Sequence, residues 1–486
     1  MRVSASEPYD LAVIGAGPAG LAGAVAAAGM GLRVALLDAS ADTGGQFYRT
    51  PEPALGAVRP EALHHDWSPY ADLRRRLARS EADHLPGHHV WSVTHESEAV
   101  GATWAVHAVT GADGGEERPV RLRARAVLLA TGACERHLPF PGWTLPGVVA
   151  AGGAQAMLKS GLVLPGRRIV VAGSGPLLLA VASSLAAAGA RVPAVVEASG
   201  YLRYARHPRA LATNPHKAVE ALGHGAALLR HRVRVRMRSA VTEVHGTDRV
   251  EAVTVARLDR DWRPVRGTGR RIECDALAVG HGLVPQIELG TTLGCASRQL
   301  PDGTRALIVD GLQETSVQGL WAAGETGGAG GAALARTEGE LAGIAAAARL
   351  LGRPAPSGRV RALRRRRDRM RAFADAMAVA HAPGPGWSRW LTDDTDVCRC
   401  EEVTAGRIRE AVEDLGARDA RTVKLLTRAG MGWCQGRMCG AAVACLAAGG
   451  RSDGRPVERR PFAVPVPLAA LAGLDAPDDE TPGRRP

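Results

Sequence analysis

At 486 residues the chain has room for about three domains, each large enough to bury a core. Fifty-nine glycines against four phenylalanines and five tyrosines suit packed α/β layers and argue against a β-sandwich. The net charge of +12 is carried by arginine, lysine occurring only at Lys159, Lys217 and Lys424, and the basic residues look scattered.

The segment Leu11–Ala28 is apolar enough to be mistaken for a signal peptide or a membrane span. Its glycines fall at nucleotide-loop spacing, however, and a strand follows directly. The expected elements are a strand at Tyr9–Ile14, a small-residue helix at Gly20–Gly29 and a strand at Arg33–Leu37 ending on Asp38. A buried βαβ unit of this kind implies a cytoplasmic chain with no membrane span. In Gly15-Ala16-Gly17-Pro18-Ala19-Gly20, Gly15 takes the tight turn, Gly17 the approach of a pyrophosphate, and Gly20 the contact of helix with strand. Backbone N–H groups and the helix dipole then hold the diphosphate, and Asp38 stands where a carboxylate accepts the adenosine ribose.

The same grammar returns later. A strand at Arg168–Ala172, the loop Gly173-Ser174-Gly175, a helix at Leu177–Ala188 and a strand at Arg191–Val196 end on Glu197. Gly15 to Asp38 is 23 residues and Gly173 to Glu197 is 24, so two dinucleotide-binding units of matching geometry are expected. The second loop has Leu178 where the third glycine belongs, which should loosen the phosphate grip. Glu197 would repel a 2′-phosphate, so NAD or another adenine nucleotide is the candidate occupant, bound catalytically, structurally or not at all.

Further strands are expected at Pro119–Leu129, closing on Ala130-Thr131-Gly132, and at Cys274–Gly280. Gly319–Glu325 precedes a helix at Ala332–Leu351, and Pro354, Pro356 and Gly358 mark a linker into a charged helix at Arg359–Ala380. The run Arg364–Arg367, broken by Asp368 and without interleaved aromatics, reads as a solvated helix face and not as a nucleic-acid surface. The tail from Arg451 is rich in Pro, Arg and Asp, and Asp475–Pro486 is expected to be disordered. The resulting domains are residues 8–148 with 275–352, residues 149–274, a linker at 353–395, a cysteine module at 396–450 and a tail at 451–486.

That module reads Cys398-Arg-Cys400, 33 intervening residues, then Cys434-Gln-Gly-Arg-Met-Cys439-Gly440. Two close thiolate pairs flanked by glycines can ligate a 2Fe–2S cluster. Zinc is the competing ligand reading, although C-x-C with C-x4-C fits its usual spacings poorly. No C-x-x-C occurs, which sets aside a disulfide-reductase role. Cys134, Cys274, Cys295 and Cys445 read as small buried residues.

Gly44-Gly45-Gln46, Ala130-Thr131-Gly132 and Gly324-Glu325 make the chain resemble a two-dinucleotide-domain flavoprotein of the glutathione-reductase type. The resemblance implies FAD in the first unit, with Gln46 near the flavin half and Glu325 at the ribityl chain, where that family usually has Asp. The cysteine module resembles the bacterioferritin-associated-ferredoxin-like 2Fe–2S domain, with short helices at Val403–Leu415, Arg421–Thr427 and Ala441–Ala448, although that family usually closes with C-x2-C. Longer stretches are more specific: Gly44–Arg49, Ala130–Arg136, Pro139–Gly147, Val171–Leu179, Gly430–Arg437 and Arg460–Pro467. Together these are similar to the α (or A) subunit of heteromeric amine dehydrogenases, a family that includes opine oxidases, proline and hydroxyproline dehydrogenases and the hydrogen cyanide synthase B subunit. The sarcosine oxidase α chain is a more distant relative.

This second resemblance implies a partner β subunit that oxidises the amine on its own FAD, an FMN between the chains and, in some members, a small γ subunit. It also implies an α chain that carries electrons onward. No substrate base is assigned in the present chain; His137, beside Arg136 and a Pro-rich turn, is the best candidate but reads more readily as structural. Two other functions fit the residues: a self-sufficient NADH-dependent reductase entered at Gly173–Glu197, and a non-catalytic scaffold. The motif Pro461–Pro467 reads as a docking strand or as a Pro-stiffened extension.

Overall fold

The computed structural model describes residues 8–96, 104–111, 117–449 and 462–472. The first sheet runs Asp83–Leu85, Val34–Leu37, Tyr9–Ile14 and Arg118–Leu129, then Trp104–Thr110 and His89–His95. Its centre is the twelve-residue strand Arg118–Leu129, where the sequence suggested several strands. Val120, Leu122 and Ala124 alternate with exposed Arg121, Arg123 and Arg125, and Ala126–Leu129 is then wholly buried. The alternating half pairs antiparallel with Trp104–Thr110, which leaves one face wet. The continuous apolar half lies between Tyr9–Ile14 and Leu320–Ala322, both parallel to it and covered on both faces.

The second sheet has five parallel strands in the order Arg234–Met237, Ala194–Glu197, Ile169–Gly173, Ala276–Gly280, Val148–Ala150. Ala276–Gly280 sits inside this sheet, so the return to the first domain comes after Gly280 and not at residue 275. The physical reason is register: Leu277–Gly280 pairs with Val170–Gly173 along its length. The crossings between domains, Ala133–Glu135 outward and Leu283–Pro285 back, pair antiparallel with each other.

Every residue from Ala19 to Ala27 in the helix Pro18–Ala28 is buried. The apolarity that imitated a membrane span serves a helix covered on two sides, by the sheet and by the return helix Ala332–Leu350. Glycines let those two helices touch backbone to backbone. A Cβ at Gly339 would stand 1.9 Å from the Ala19 carbonyl oxygen, and one at Gly343 2.2 Å from that of Gly23.

The linker helix Ser357–Ala380 leads to Pro385–Trp390 and then to the cysteine module, whose helices are Ala405–Glu413, Ala420–Thr427 and Gly440–Ala447. The module packs into the second nucleotide domain through one continuous core that includes Trp143, Trp262, Trp390, Val397 and Ile408. The Trp390 indole donates to the Trp262 carbonyl at 2.9 Å and the Trp143 indole to that of Asp396 at 2.6 Å. In the tail, Phe462 packs edge-on against Trp91 and the Ala463 N–H donates to the Trp91 carbonyl at 2.8 Å. Residues 462–467 of the tail motif therefore pack on the chain's own first sheet, while Pro461 and Asp475–Pro486 lie outside the described residues. Among the described residues no helix is long and apolar enough to cross a membrane.

Gly339→Ala should cost about 1–3 kcal/mol by forcing the two helices apart. Gly358→Ala, at a helical glycine with nothing within 4 Å of the added carbon, should cost nothing. Thermal unfolding followed by flavin fluorescence compares them, and equal midpoints would show that the backbone contact does not set stability.

Candidate functional site

Segments far apart in sequence meet at the N-terminus of the helix Pro18–Ala28. Gly15 has φ of +102°, and a Cβ there would lie 2.4 Å from the Ala130 carbonyl oxygen. One at Gly20 would lie 1.8 Å from the Gly15 oxygen. The Asp38 carboxylate accepts the Ala16 N–H at 2.5 Å and the Ser40 N–H at 2.7 Å, which fixes the loop's shape. The Gly44 N–H donates to the Ala16 carbonyl at 2.7 Å, and Gly45 lies against Gly17. The Thr131 hydroxyl donates to the Gln286 carbonyl at 2.7 Å, and Gln286 N–H returns a bond to the Gly132 carbonyl. Gly324 rests on Ala19, where a Cβ would meet that residue's methyl at 2.9 Å.

The helix has Pro18 in its first turn, no side-chain cap and no acidic residue there. Its free N–H groups and glycine walls therefore fit the diphosphate of FAD. Gln46 accepts from Arg49 Nε at 2.8 Å. The Glu325 carboxylate accepts the Gly330 and Gly331 N–H groups at 3.1 and 3.0 Å, and burial raises its pKa.

The second loop is built alike but closed. Gly173, at φ +137°, is pressed onto Gly280, with 1.7 Å between a would-be Cβ and the Gly280 oxygen. Leu178 does not push its helix away; it is buried in the core of the second domain. Glu197 is 1% exposed. Its carboxylate accepts the Gly175 N–H at 3.0 Å and the Ser199 N–H at 2.8 Å, and His381 Nδ1 lies 3.5 Å away. The Ser174 hydroxyl donates to the His381 carbonyl at 3.0 Å, and His381 Nε2 meets the Tyr204 hydroxyl at 3.1 Å. The end of the linker thus covers both the loop and the acid that would receive a ribose. Burial raises the pKa of Tyr201 and Tyr204, which pack beside His381.

The four cysteines converge. The Cys439 thiol faces Cys398 and Cys434, and Cys434 faces Cys400. Donation from Cys439 holds Cys398 down to about 6 and raises Cys439 itself, and the Gly430 N–H points at the Cys398 sulfur at 3.4 Å. Gly432 abuts Cys400, whose Cβ would stand 2.2 Å from an added carbon. Two close pairs with a backbone amide on sulfur fit a 2Fe–2S cluster. Cys400 is exposed while Cys398 and Cys439 are buried. Arg437, in the same loop, reaches Glu288 of the first domain at 3.7 Å.

Several residues escaped the sequence reading. Lys159 is buried, donates to the Phe47 carbonyl at 2.8 Å and stands over the Phe47 ring; burial pushes its pKa down to about 8. Its rarity as one of three lysines was the only signal. His64 lies near it, with both ring nitrogens buried and unbonded and its pKa pushed down by burial to about 4. His381 carried no signal at all. His137 is half-buried beside Trp143 and the cysteine module, and burial lowers its pKa.

Residues 9–348 match the profile of the pyridine nucleotide-disulphide oxidoreductases, and residues 397–448 that of the BFD-like 2Fe–2S binding domain. The chain is 33% identical to hydrogen cyanide synthase subunit HcnB of Pseudomonas protegens, over 95% of this chain and 97% of the relative. It is 35% identical to the A subunit of opine oxidase from Agrobacterium tumefaciens, over 96% and 92%. Among solved structures, L-proline dehydrogenase from P. horikoshii shares the fold at a TM-score of 0.65 and 20% identity, over 96% of this chain and 79% of that one. T. acidophilum thioredoxin reductase does so at 0.52 and 22%, over 71% and 99%.

Cys439→Ser and Cys400→Ser should each lower bound iron and acid-labile sulfide to about a tenth or less while FAD stays stoichiometric. Unchanged iron in both variants would remove these residues from the ligand set, and stoichiometric zinc without iron would make the site structural.

Proposed function

We propose an electron-transfer role for this chain, which belongs to the pyridine nucleotide-disulphide oxidoreductase family and is an FAD-dependent oxidoreductase with a 2Fe–2S binding domain. It is the α subunit of a cytoplasmic heteromeric dehydrogenase or oxidase for an amino acid, an opine or another secondary amine. The substrate is oxidised on a partner β subunit. Such an assembly would also hold an FMN shared with that partner, and a small γ subunit. Relatives that match over nearly their whole length are themselves named as subunits.

Gly15, Gly17, Gly20 and Asp38 hold the diphosphate and ribose of FAD, Gln46 lies by the flavin half, and Glu325 lies by the ribityl chain. Cys398, Cys400, Cys434 and Cys439 hold the cluster. A flavin takes electrons in pairs and releases them singly, and a 2Fe–2S cluster passes one at a time.

The observation that carries this reading is the closure of the second loop. Glu197 is sealed under His381, and Ser174 bonds to the same residue, so a nicotinamide nucleotide has no ribose acceptor to reach. Electrons then enter from a partner chain. In an anaerobic titration of the FAD-loaded protein, NADH should leave the flavin absorbance unchanged over many minutes. Rapid, stoichiometric bleaching would reinstate the self-sufficient reductase.

A further inference from the structure

We propose that the outer face of the helix Pro215–Arg230, with the arginines around it, is the surface on which an acidic-rimmed partner subunit docks; this rests on the heteromeric reading above. Of the sixteen residues in this helix only Leu228 is buried. Val219, Leu222 and Leu229 are 69%, 72% and 79% exposed. With Ala226 they follow a spacing of three, four and three, which sets them on one side of the helix, opposite Leu228. An apolar stripe of this kind, turned outward on a helix that already packs by its other side, lacks a cover.

The surrounding charge says what kind of cover fits. Residues 198–242 hold eight arginines and one lysine against a single carboxylate, Glu220. This stretch therefore carries a net charge of +8, and residues 359–371 of the linker helix, with eight arginines against Asp368, carry a further +7. Glu220 is already engaged by Lys217 at 2.7 Å. Arg206, Arg209, Arg230 and Arg232 are exposed. The linker helix adds Arg366 and Arg369; burial first, then Lys217 and these two arginines, disfavour the charged form of His216. Carboxylates on a partner would relieve this mutual repulsion and steer its approach.

Protein is favoured over an anionic membrane by Gly223 and Gly225. Both lie mid-helix with nothing within 4 Å of an added Cβ, and each weakens the helix relative to alanine. A bilayer gains nothing from bare helix backbone, whereas a packed polypeptide can approach it closely.

The test is co-expression of the full chain with a flavin-dependent amine oxidase-like β chain as the candidate partner, followed by size-exclusion chromatography of the holoenzyme. Wild type should co-elute, and the complex should weaken as salt rises from about 0.05 to about 0.5 M. Leu222→Asp with Leu229→Asp, and separately Arg209→Glu with Arg230→Glu, should each weaken it roughly 100-fold. Both variants should keep their flavin spectrum and iron content, which separates lost docking from lost folding. If the variants co-elute like wild type, the surface is wrong and the heteromeric reading stands. If wild type forms no complex, the heteromeric reading fails and takes the surface with it. If wild type sediments with phosphatidylglycerol vesicles, Leu222→Asp abolishes that, and the complex with the partner is untouched, the face is a membrane contact and the proposal is overturned.

Discussion

The buried carboxylate of Glu338 is the point on which the arrangement turns. It is 2% exposed, pairs with Arg371 at 2.5 Å and accepts the Gly324 N–H at 3.0 Å. One side chain therefore ties together the return helix, the linker helix and the glycine that rests on Ala19. Removing one partner of such a pair leaves an uncompensated buried charge, at a cost of about 3–5 kcal/mol. From this anchor the linker runs on to His381 at the second loop. It then crosses the Asp259–Arg263 turn, where the Gly386 N–H donates to the Asp261 carbonyl at 2.7 Å and a Cβ on Gly384 would collide with Trp262. The linker is better understood as a spine than as a tether.

The cysteine module depends on that spine because it is small. A segment of about fifty residues buries too little apolar surface to be secure alone. Here it shares a core with the second nucleotide domain through Trp143, Trp262, Trp387 and Trp390. That domain has kept the architecture of a dinucleotide binder, but its ribose acid Glu197 is 1% exposed and lies under His381. Asp38, bonded to its own loop in the same way, has no such cover among the described residues. The second domain serves as the platform for the cluster module.

What was legible in the sequence was local. Glycine spacing, apolar runs and the acids closing each second strand placed both βαβ units within three residues, because these signals lie within about thirty residues of each other. The cysteine pairs were legible for the same reason. Arg118–Leu129 was harder, since it changes from alternating to continuous burial within one strand. The domain boundary after Gly280 depends on pairing across more than a hundred residues. Glu197 with His381, and Lys159 with Phe47, likewise join positions no local pattern connects. His381 lies in an ordinary stretch of helix end, and only the folded chain makes it a neighbour of the phosphate loop. The charge around Pro215–Arg230 was present in the sequence, but its meaning depended on knowing which side of that helix is bare.

The first domain also dictates an order of assembly. Its sheet is completed by Leu320–Ala322, its helix layer by Ala332–Leu350, and the contact at Trp91 by residues 462–472. The second domain lies wholly between these parts in the chain. During synthesis it can form its five strands while the dinucleotide cradle at Gly15 still lacks one wall. The wall that Gly324 and the helix Ala332–Leu350 set against Ala19 and Gly23 is therefore the last part of that cradle to leave the ribosome.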